Sequence, residues 1–262
     1  MRVTVVGCSG SVPGPDSSAS CYLVEASDGE RTWRVLLDLG SGALGGLHRY
    51  ADPLDVDAVL LSHLHPDHCL DLCGLYVMLK YPPRPRRTSP DGPVKPQVWG
   101  PSGTAARMAR AYDLPPEPGM RNQLDFQPWR EREPVRFGPL AVTPFRVNHP
   151  VLAYGVRIED TTTGGVLGYT GDTDTCDALT PLCTGADLVL ADSAFMEGRD
   201  SARGVHLTAA RAGAAMTAAG GVGRLVLTHL PPWNDIKLCL EQARTTWQGE
   251  LDVARPGDTY EL

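Results

Sequence analysis

Six consecutive residues, His63-Leu64-His65-Pro66-Asp67-His68, gather three of the chain's seven histidines and one carboxylate. Imidazole nitrogens with a carboxylate suit Zn2+, or Mn2+ and Fe2+ in a more oxygen-rich site. Burying that much unpaired polarity without a cation would be costly, so the cluster points to metal binding. The run directly follows the apolar segment 57–61, a strand whose end is a rigid platform beside a cleft. Strand alternation places His63 and His65 on one side, and the start of the next helix brings Asp67 and His68 to the other.

Four ligands from one loop do not complete two metal sites. Partners stand at later strand ends: His149 after LAVTPFRV (140–147), Asp172 after GVLGYTG (165–171), and His229 closing RLVLTH (224–229). Taken singly, each reads equally as ligand or turn residue, since Asp172 lies in TGDT and His149 precedes Pro150. Together they occupy one structural place, the mouth formed by strand ends.

The elements that must position these residues alternate short β-rich runs with helices. Strands are expected at 3–7, 33–40, 57–63, 97–99, 140–147, 154–160, 165–171, 187–193 and 224–229. Helices are expected at 70–80, stopped by Pro82 and Pro83, and at 103–112, 208–220 and 234–247. The stretches 81–96 and 114–137 read as loops. This cadence predicts an α/β fold, a two-sheet sandwich with helices outside. Residues 1–262 would form one domain of two similar halves, roughly 1–135 and 136–262, with no Gly/Ser linker between them.

Hydrophobic residues at 42% and charged residues at 21% exclude a disordered or low-complexity chain. The net charge of −7 leaves no global basic field for a nucleic-acid backbone. No apolar run approaches the ~18–20 residues that span a bilayer, and the opening MRVTVVGCSG reads as a strand rather than a signal peptide. Seven irregularly spaced cysteines read as reduced thiols, so a cytoplasmic location is expected.

The order HxHxDH, then H, then D within TGDT, then a final H after an apolar strand resembles the metallo-β-lactamase superfamily over essentially the whole chain. That resemblance implies an αββα sandwich and a dinuclear hydrolase. The first ion would take His63, His65 and His149; the second, Asp67, His68 and His229; Asp172 would bridge them. Asp38, in WRVLLDLG, resembles the family's aspartate that orients ligand histidines, and reads equally as a strand-terminating turn residue.

The opening VTVVGCSGSVPGP resembles the glycine-rich turn of the ribonuclease Z-like phosphodiesterases. ADLVLADSAF (186–195) lines up with their strand ending in His-Glu-Ala-Thr, with Asp192 at the Glu and Ala191 at the His. His206 lines up with the histidine that the Glu orients. An Asp192–His206 pair would stabilise a phosphorane-like transition state or protonate the leaving oxygen, and Asp67 would hold the nucleophile's proton. His206 also reads as a plain residue ahead of the helix TAARAG. The long basic arm that grips precursor tRNA has no place here, because two strands and a turn fill the interval from His149 to Asp172. Arg84, Arg86 and Arg87 form the one basic run, read first as a solvated loop and second as a phosphate-facing lip.

GCSGSVPGPDSSASCYL (7–23), LLSHLHPDHCLDLCGL (60–75), YTGDTDTCDAL (169–179) and LTHLPPW (227–233) resemble the atypical class II cyclic-nucleotide phosphodiesterases of mycobacteria and related actinobacteria. The resemblance implies hydrolysis of 3′,5′-cyclic AMP, with cyclic GMP as a second candidate, to the 5′-monophosphate. Alternatives are ribonuclease Z-like RNA processing, or another hydrolase of this fold acting on a small cyclic phosphate. The cofactors expected are two divalent ions, Zn2+ first and Mn2+ or Fe2+ next. The expected partner is a small phosphodiester, with no nucleic acid and no membrane, and a homodimer is compatible with this branch. Trp233 in HLPPW reads as a cover for a nucleobase or as simple packing.

Overall fold

Where apolar residues alternate with polar ones a strand covers a core with one face, and where both faces are apolar it is buried on both. CYLVEAS and LVLAD are of the second kind. The computed structural model describes residues 1–90 and 92–262; Asp91, inside the expected 81–96 loop, lies outside them.

The chain runs β1 (Arg2–Gly7), β2 (Cys21–Ser27), β3 (Thr32–Leu37), α1 (Ala43–Leu47), β4 (Ala58–Leu60), α2 (Pro66–Cys69) and α3 (Leu72–Lys80). A small hairpin follows, β5 (Thr88–Ser89) and β6 (Gly92–Pro93), then β7 (Gln97–Gly100), α4 (Thr104–Ala111) and β8 (Asp125–Pro128). Next come β9 (Val135–Phe137), β10 (Leu140–Arg146), β11 (Tyr154–Asp160), β12 (Val166–Tyr169), α5 (Leu179–Cys183) and β13 (Leu188–Asp192). The last elements are α6 (Ala209–Ala218), β14 (Arg224–Thr228), α7 (Ile236–Arg244), β15 (Glu250–Val253) and β16 (Thr259–Glu261).

Two seven-stranded sheets result, in the orders β16-β1-β2-β3-β4-β7-β8 and β15-β14-β13-β12-β11-β10-β9. The chain passes from one to the other between Pro128 and Val135, and only β16 returns, pairing antiparallel with β1. Val5, Tyr22, Val24, Val35 and Leu37 of the first sheet meet Val142, Val156, Ile158, Leu167 and Leu190 of the second in the central core. The alternate residues Leu23, Leu36 and Val59 face outward against Leu47, Leu72, Leu75 and Met108 of the helices. Val189, Leu225 and Leu227 do the same against Leu182, Ala212, Met216 and Cys239. The fold is therefore α/β, two mixed sheets between outer helices, the sandwich expected. No helix among the described residues is long and apolar enough to cross a membrane, and all seven cysteines are free.

Three expectations change. The 114–137 loop contains β8 and β9, short strands in a Pro- and charge-rich segment where alternation is weak. The expected 70–80 helix is α3, starting at Leu72, and a separate short helix, α2, precedes it, begun by Pro66, whose φ is already helical. The expected 81–96 loop carries the β5–β6 pairing. Elsewhere the ends shift by up to three residues, as at α7, which begins at Ile236 once Asp235 accepts from the backbone N–H groups of Lys237 and Leu238, and β2, α1, α5, β15 and β16 were not expected.

Candidate metal centre

β3, β4 and β7 run parallel in one sheet, and β12, β13 and β14 in the other. The carboxyl ends of such strands open onto a shared crevice. His63 and His65 follow β4, Asp67 and His68 ride on α2, and His149 follows β10. Asp172 follows β12, Asp192 closes β13, and His229 follows β14. All seven expected ligand residues meet in one cradle. His63, His65 and His149 bring their donor atoms within 4.8 Å of one another, as do Asp67, His68, Asp172 and His229. His63 Nε2 lies 2.9 Å from His65 Nδ1, and His149 Nε2 lies 3.3 Å from the same atom. Asp172 Oδ2 is 3.2 Å from both His68 Nε2 and His229 Nε2 and 3.7 Å from His63 Nε2, so its carboxylate faces both groups. Asp67 Oδ2 stands 3.5 Å from His68 Nε2 and 3.7 Å from His229 Nε2.

Close backbone approach fixes the ligand-bearing segments. A Cβ on Gly10 would lie 2.1 Å from the His229 carbonyl oxygen, and one on Gly40 would lie 1.9 Å from that of Asp67. The glycine-rich opening turn thus packs directly on the last ligand, and His229 itself holds a left-handed φ of 57°.

His68, His229 and His149 each also have a partner that sets the ring's orientation. Asp38, fully buried, accepts from His68 Nδ1 at 2.7 Å, from the Ser62 N–H at 2.7 Å, from Ser62 Oγ at 2.8 Å and from the Tyr169 hydroxyl at 2.6 Å. Its orienting reading is the one the geometry carries. Ser20 Oγ lies 3.1 Å from His229 Nδ1, and His149 Nδ1 donates to the Val205 carbonyl at 2.8 Å. These bonds turn the opposite ring nitrogens toward the cradle. Sequence reasoning missed Ser20, Ser62, Tyr169 and Val205. Only Ser62, adjacent to His63, and Tyr169, in YTGDT, carried any local signal.

Burial is the largest influence on His63, His149 and His229 and pushes each imidazole below its ordinary value, toward the neutral form that a cation requires. Burial would raise Asp172, yet the charges of His229 and His68 outweigh it and hold the carboxyl far below the usual range. His68, desolvated but flanked by Asp172 and Asp38, is carried well above its ordinary value. His68 Nε2, His229 Nε2 and Asp172 Oδ1 are buried with no hydrogen-bond partner. Three orphaned polar atoms in one cradle are costly unless a cation meets them. The donor sets, three imidazoles on one side and two imidazoles with two carboxylates on the other, fit divalent ions that accept nitrogen and oxygen.

His206 Nδ1 donates to Asp192 Oδ2 at 2.9 Å and lies 3.9 Å from Asp172 Oδ2. The shorter acid thus still reaches the imidazole. Burial lowers the His206 pKa, but Asp192 and then Asp172 overcome it and bring it up to about 9; cations in the cradle oppose that rise. Asp192 is itself fixed by the N–H groups of Thr173 and Ala194, both at 3.0 Å. Trp233 is 60% exposed, which removes the packing reading. Arg84, Arg86 and Arg87 do not form a lip. Arg84 pairs with Asp52 and Asp55, Arg87 pairs with Asp57, and Arg86 binds the carbonyls of Leu79 and Val94. Those acids precede β4, at the end opposite the cradle.

A family model described as the beta-lactamase superfamily domain matches residues 33–230. An uncharacterized protein of Mycobacterium leprae is 41% identical, covering 100% of this chain and 89% of that one. The probable metallo-hydrolase YhfI of Bacillus subtilis is 29% identical over 100% of both chains. Its crystal structure superposes with a TM-score of 0.82, covering 99% of each. Ribonuclease Z of Haloferax volcanii is 28% identical, covering 100% of this chain and 95% of that one. With the fold, the cradle and these relatives in agreement, the chain belongs to the β-lactamase superfamily and is a metal-dependent hydrolase of the metallo-β-lactamase fold.

Proposed function

We propose that the protein hydrolyses a small phosphodiester, a 3′,5′-cyclic nucleotide and first of all cyclic AMP, to the 5′-monophosphate. The observation that carries the reading is the Asp192–His206 pair, 2.9 Å apart, at the wall of the cradle. A hydrolase that splits a diester must supply a proton to a departing alkoxide, and an imidazole braced by a carboxylate does that. His63, His65 and His149 would hold one ion, and Asp67, His68 and His229 the other, with Asp172 between them. Zn2+ is the first candidate. What two such ions supply when bound is Lewis acidity toward the phosphoryl oxygens and a water of pKa near ~7.

The chain's own residues account for the proton traffic. Asp67, beside His68 and His229, takes the proton of the attacking water as its oxygen bonds to phosphorus. The P–O3′ bond breaks, and the His206 ring returns a proton to the 3′ oxygen while Asp192 stabilises the charge on the imidazole. Trp233, exposed four residues beyond His229, offers a face to the base. The likeness to a ribonuclease Z is compatible with phosphodiester chemistry. Against an RNA substrate stand the −7 charge, the missing arm and the engagement of the Arg84–Arg87 run at the far end.

Purified protein loaded with Zn2+ or Mn2+ should turn over cyclic AMP and bis-p-nitrophenyl phosphate, and leave a precursor tRNA intact. Two bound ions with no diester cleaved would refute the reading. Cleavage of the tRNA alone would move the function to RNA processing.

A further inference from the structure

Asp172, Thr173 and Asp174 are consecutive, and each reaches a different part of the centre. Asp172 faces the cradle, and the Thr173 N–H donates to Asp192 at 3.0 Å. Asp174 faces away from the cradle and is 1% exposed. Its carboxylate accepts from Arg203 Nε at 2.7 Å, from the Gly204 N–H at 2.8 Å, from Arg211 Nη1 at 2.7 Å and from the Thr175 N–H at 2.7 Å. Its own N–H donates to the Asn148 carbonyl at 2.8 Å, next to His149.

Two partners of the Asp174 carboxylate, Arg203 and Gly204, belong to one strap. Phe195 and Thr208 form an isolated bridge, so residues 196–207 make an excursion whose ends are close together. Two groups in this strap touch the centre. The Val205 carbonyl accepts from His149 Nδ1 at 2.8 Å, and His206 Nδ1 donates to Asp192 at 2.9 Å. Arg211, on α6, also donates from Nη1 to the His206 carbonyl at 3.3 Å. Between Arg203 and His206 no helix or strand holds the backbone. Without the Asp174 carboxylate, the Gly204 N–H and both guanidinium groups lose their common acceptor.

We propose that Asp174 is a positioning residue that ties the 203–206 strap to the segment carrying Asp172, and so sets His149 and His206 together. The charge of Asp174 is consumed by two arginines, and it neither faces the substrate space nor joins a donor set. A mere loop staple would need contact with one element, whereas Asp174 joins the Asn148 strand end, the strap and α6. The kinetic part of the inference rests on the proposed role of His206; the metal part does not.

Asp174→Asn keeps the shape and removes the charge, and Asp174→Glu restores it. In a titration of metal-free protein with Co2+, the Asn variant should lose roughly 10–100-fold in affinity for one ion. The other affinity should stay within about threefold, because His149 is in only one of the two sets proposed to hold the ions. With both sites saturated, kcat on bis-p-nitrophenyl phosphate should fall roughly 10–100-fold with KM within about threefold, and the Glu variant should recover part of both losses. The double variant Asp174→Asn/His206→Ala should be no slower than His206→Ala alone. Thermal midpoints confirm that each variant is folded. Equal loss of both metal affinities, loss of neither, or kinetic losses that multiply would overturn the proposal. If the native enzyme cleaves no diester, the phosphodiesterase reading fails, and selective loss of one Co2+ affinity in Asp174→Asn still decides for Asp174.

Discussion

Charged residues collect at both ends of the sandwich, and the two ends treat them in opposite ways. Before β4, Asp57 is half-buried and saturated: its carboxylate accepts from Arg31 at 2.9 Å, from the Arg34 N–H at 2.8 Å and from Arg87. Arg84 sits between Asp52 and Asp55 nearby, and Arg224 between Glu250 and Asp252 at the sheet edge. After β4 the pairing stops short. Two imidazole nitrogens and one carboxylate oxygen remain buried without partners. Saturated charge holds a fold in place, whereas unsaturated buried polarity has a cost that only a ligand offsets. The number of charged residues does not distinguish the ends; their satisfaction does.

Perturbing each end should therefore read out differently. The largest effect is expected from His65→Ala, which should release one ion and cost several kcal/mol of transition-state stabilisation, about 10³-fold in turnover. Metal analysis beside kinetics checks this, and full metal retention would break the contrast. His206→Ala comes next, with roughly 10²-fold off kcat and both ions kept; metal loss there would reassign His206 as a ligand. Asp57→Ala should leave metal content and kcat unchanged but cost about 1–3 kcal/mol in urea unfolding, because it removes the acceptor of the Arg34 N–H and of the Arg31 and Arg87 guanidinium groups. A change in metal affinity would show that the ends are coupled. The smallest effect is expected from Arg84→Ala, within about 0.5 kcal/mol, since its pairs are exposed. Loss of turnover on cyclic AMP in that variant would restore the phosphate-lip reading.

How much of this was legible in the sequence differs between the two sheets. The cluster at 63–68 is local, so its residue types and spacing reveal it directly. His149, Asp172 and His229 are ambiguous one by one and become readable only as a set at strand ends. Of the orienting partners only Asp38 was legible, and that through the resemblance; a bond such as Tyr169 to Asp38 spans two sheets and leaves no periodic trace. The same reason hides Val205, which contributes a carbonyl that any residue type could supply. In the fold, long apolar strands such as β13 announce themselves. The edge strands β15 and β16 do not, because half their residues face water and their pairing is decided by what is already folded beside them. The return of β16 to β1 is a tertiary choice of this kind.

The Asp38 hub has a further consequence, for the order of events in assembly. Its acceptor positions are filled by Ser62 and His68, from the segment after β4 in its own half, and by Tyr169 from β12 of the other sheet. A carboxylate shared in this way cannot reach its final state until the two sheets dock. Ion uptake should consequently be a late kinetic event, limited by closure of the sandwich rather than by diffusion of the cation. In stopped-flow refolding with Co2+ present, the ligand-field signal should then trail tryptophan burial at a rate independent of Co2+ concentration. A signal that accelerates with added Co2+ would instead mean that the cation recruits the second sheet.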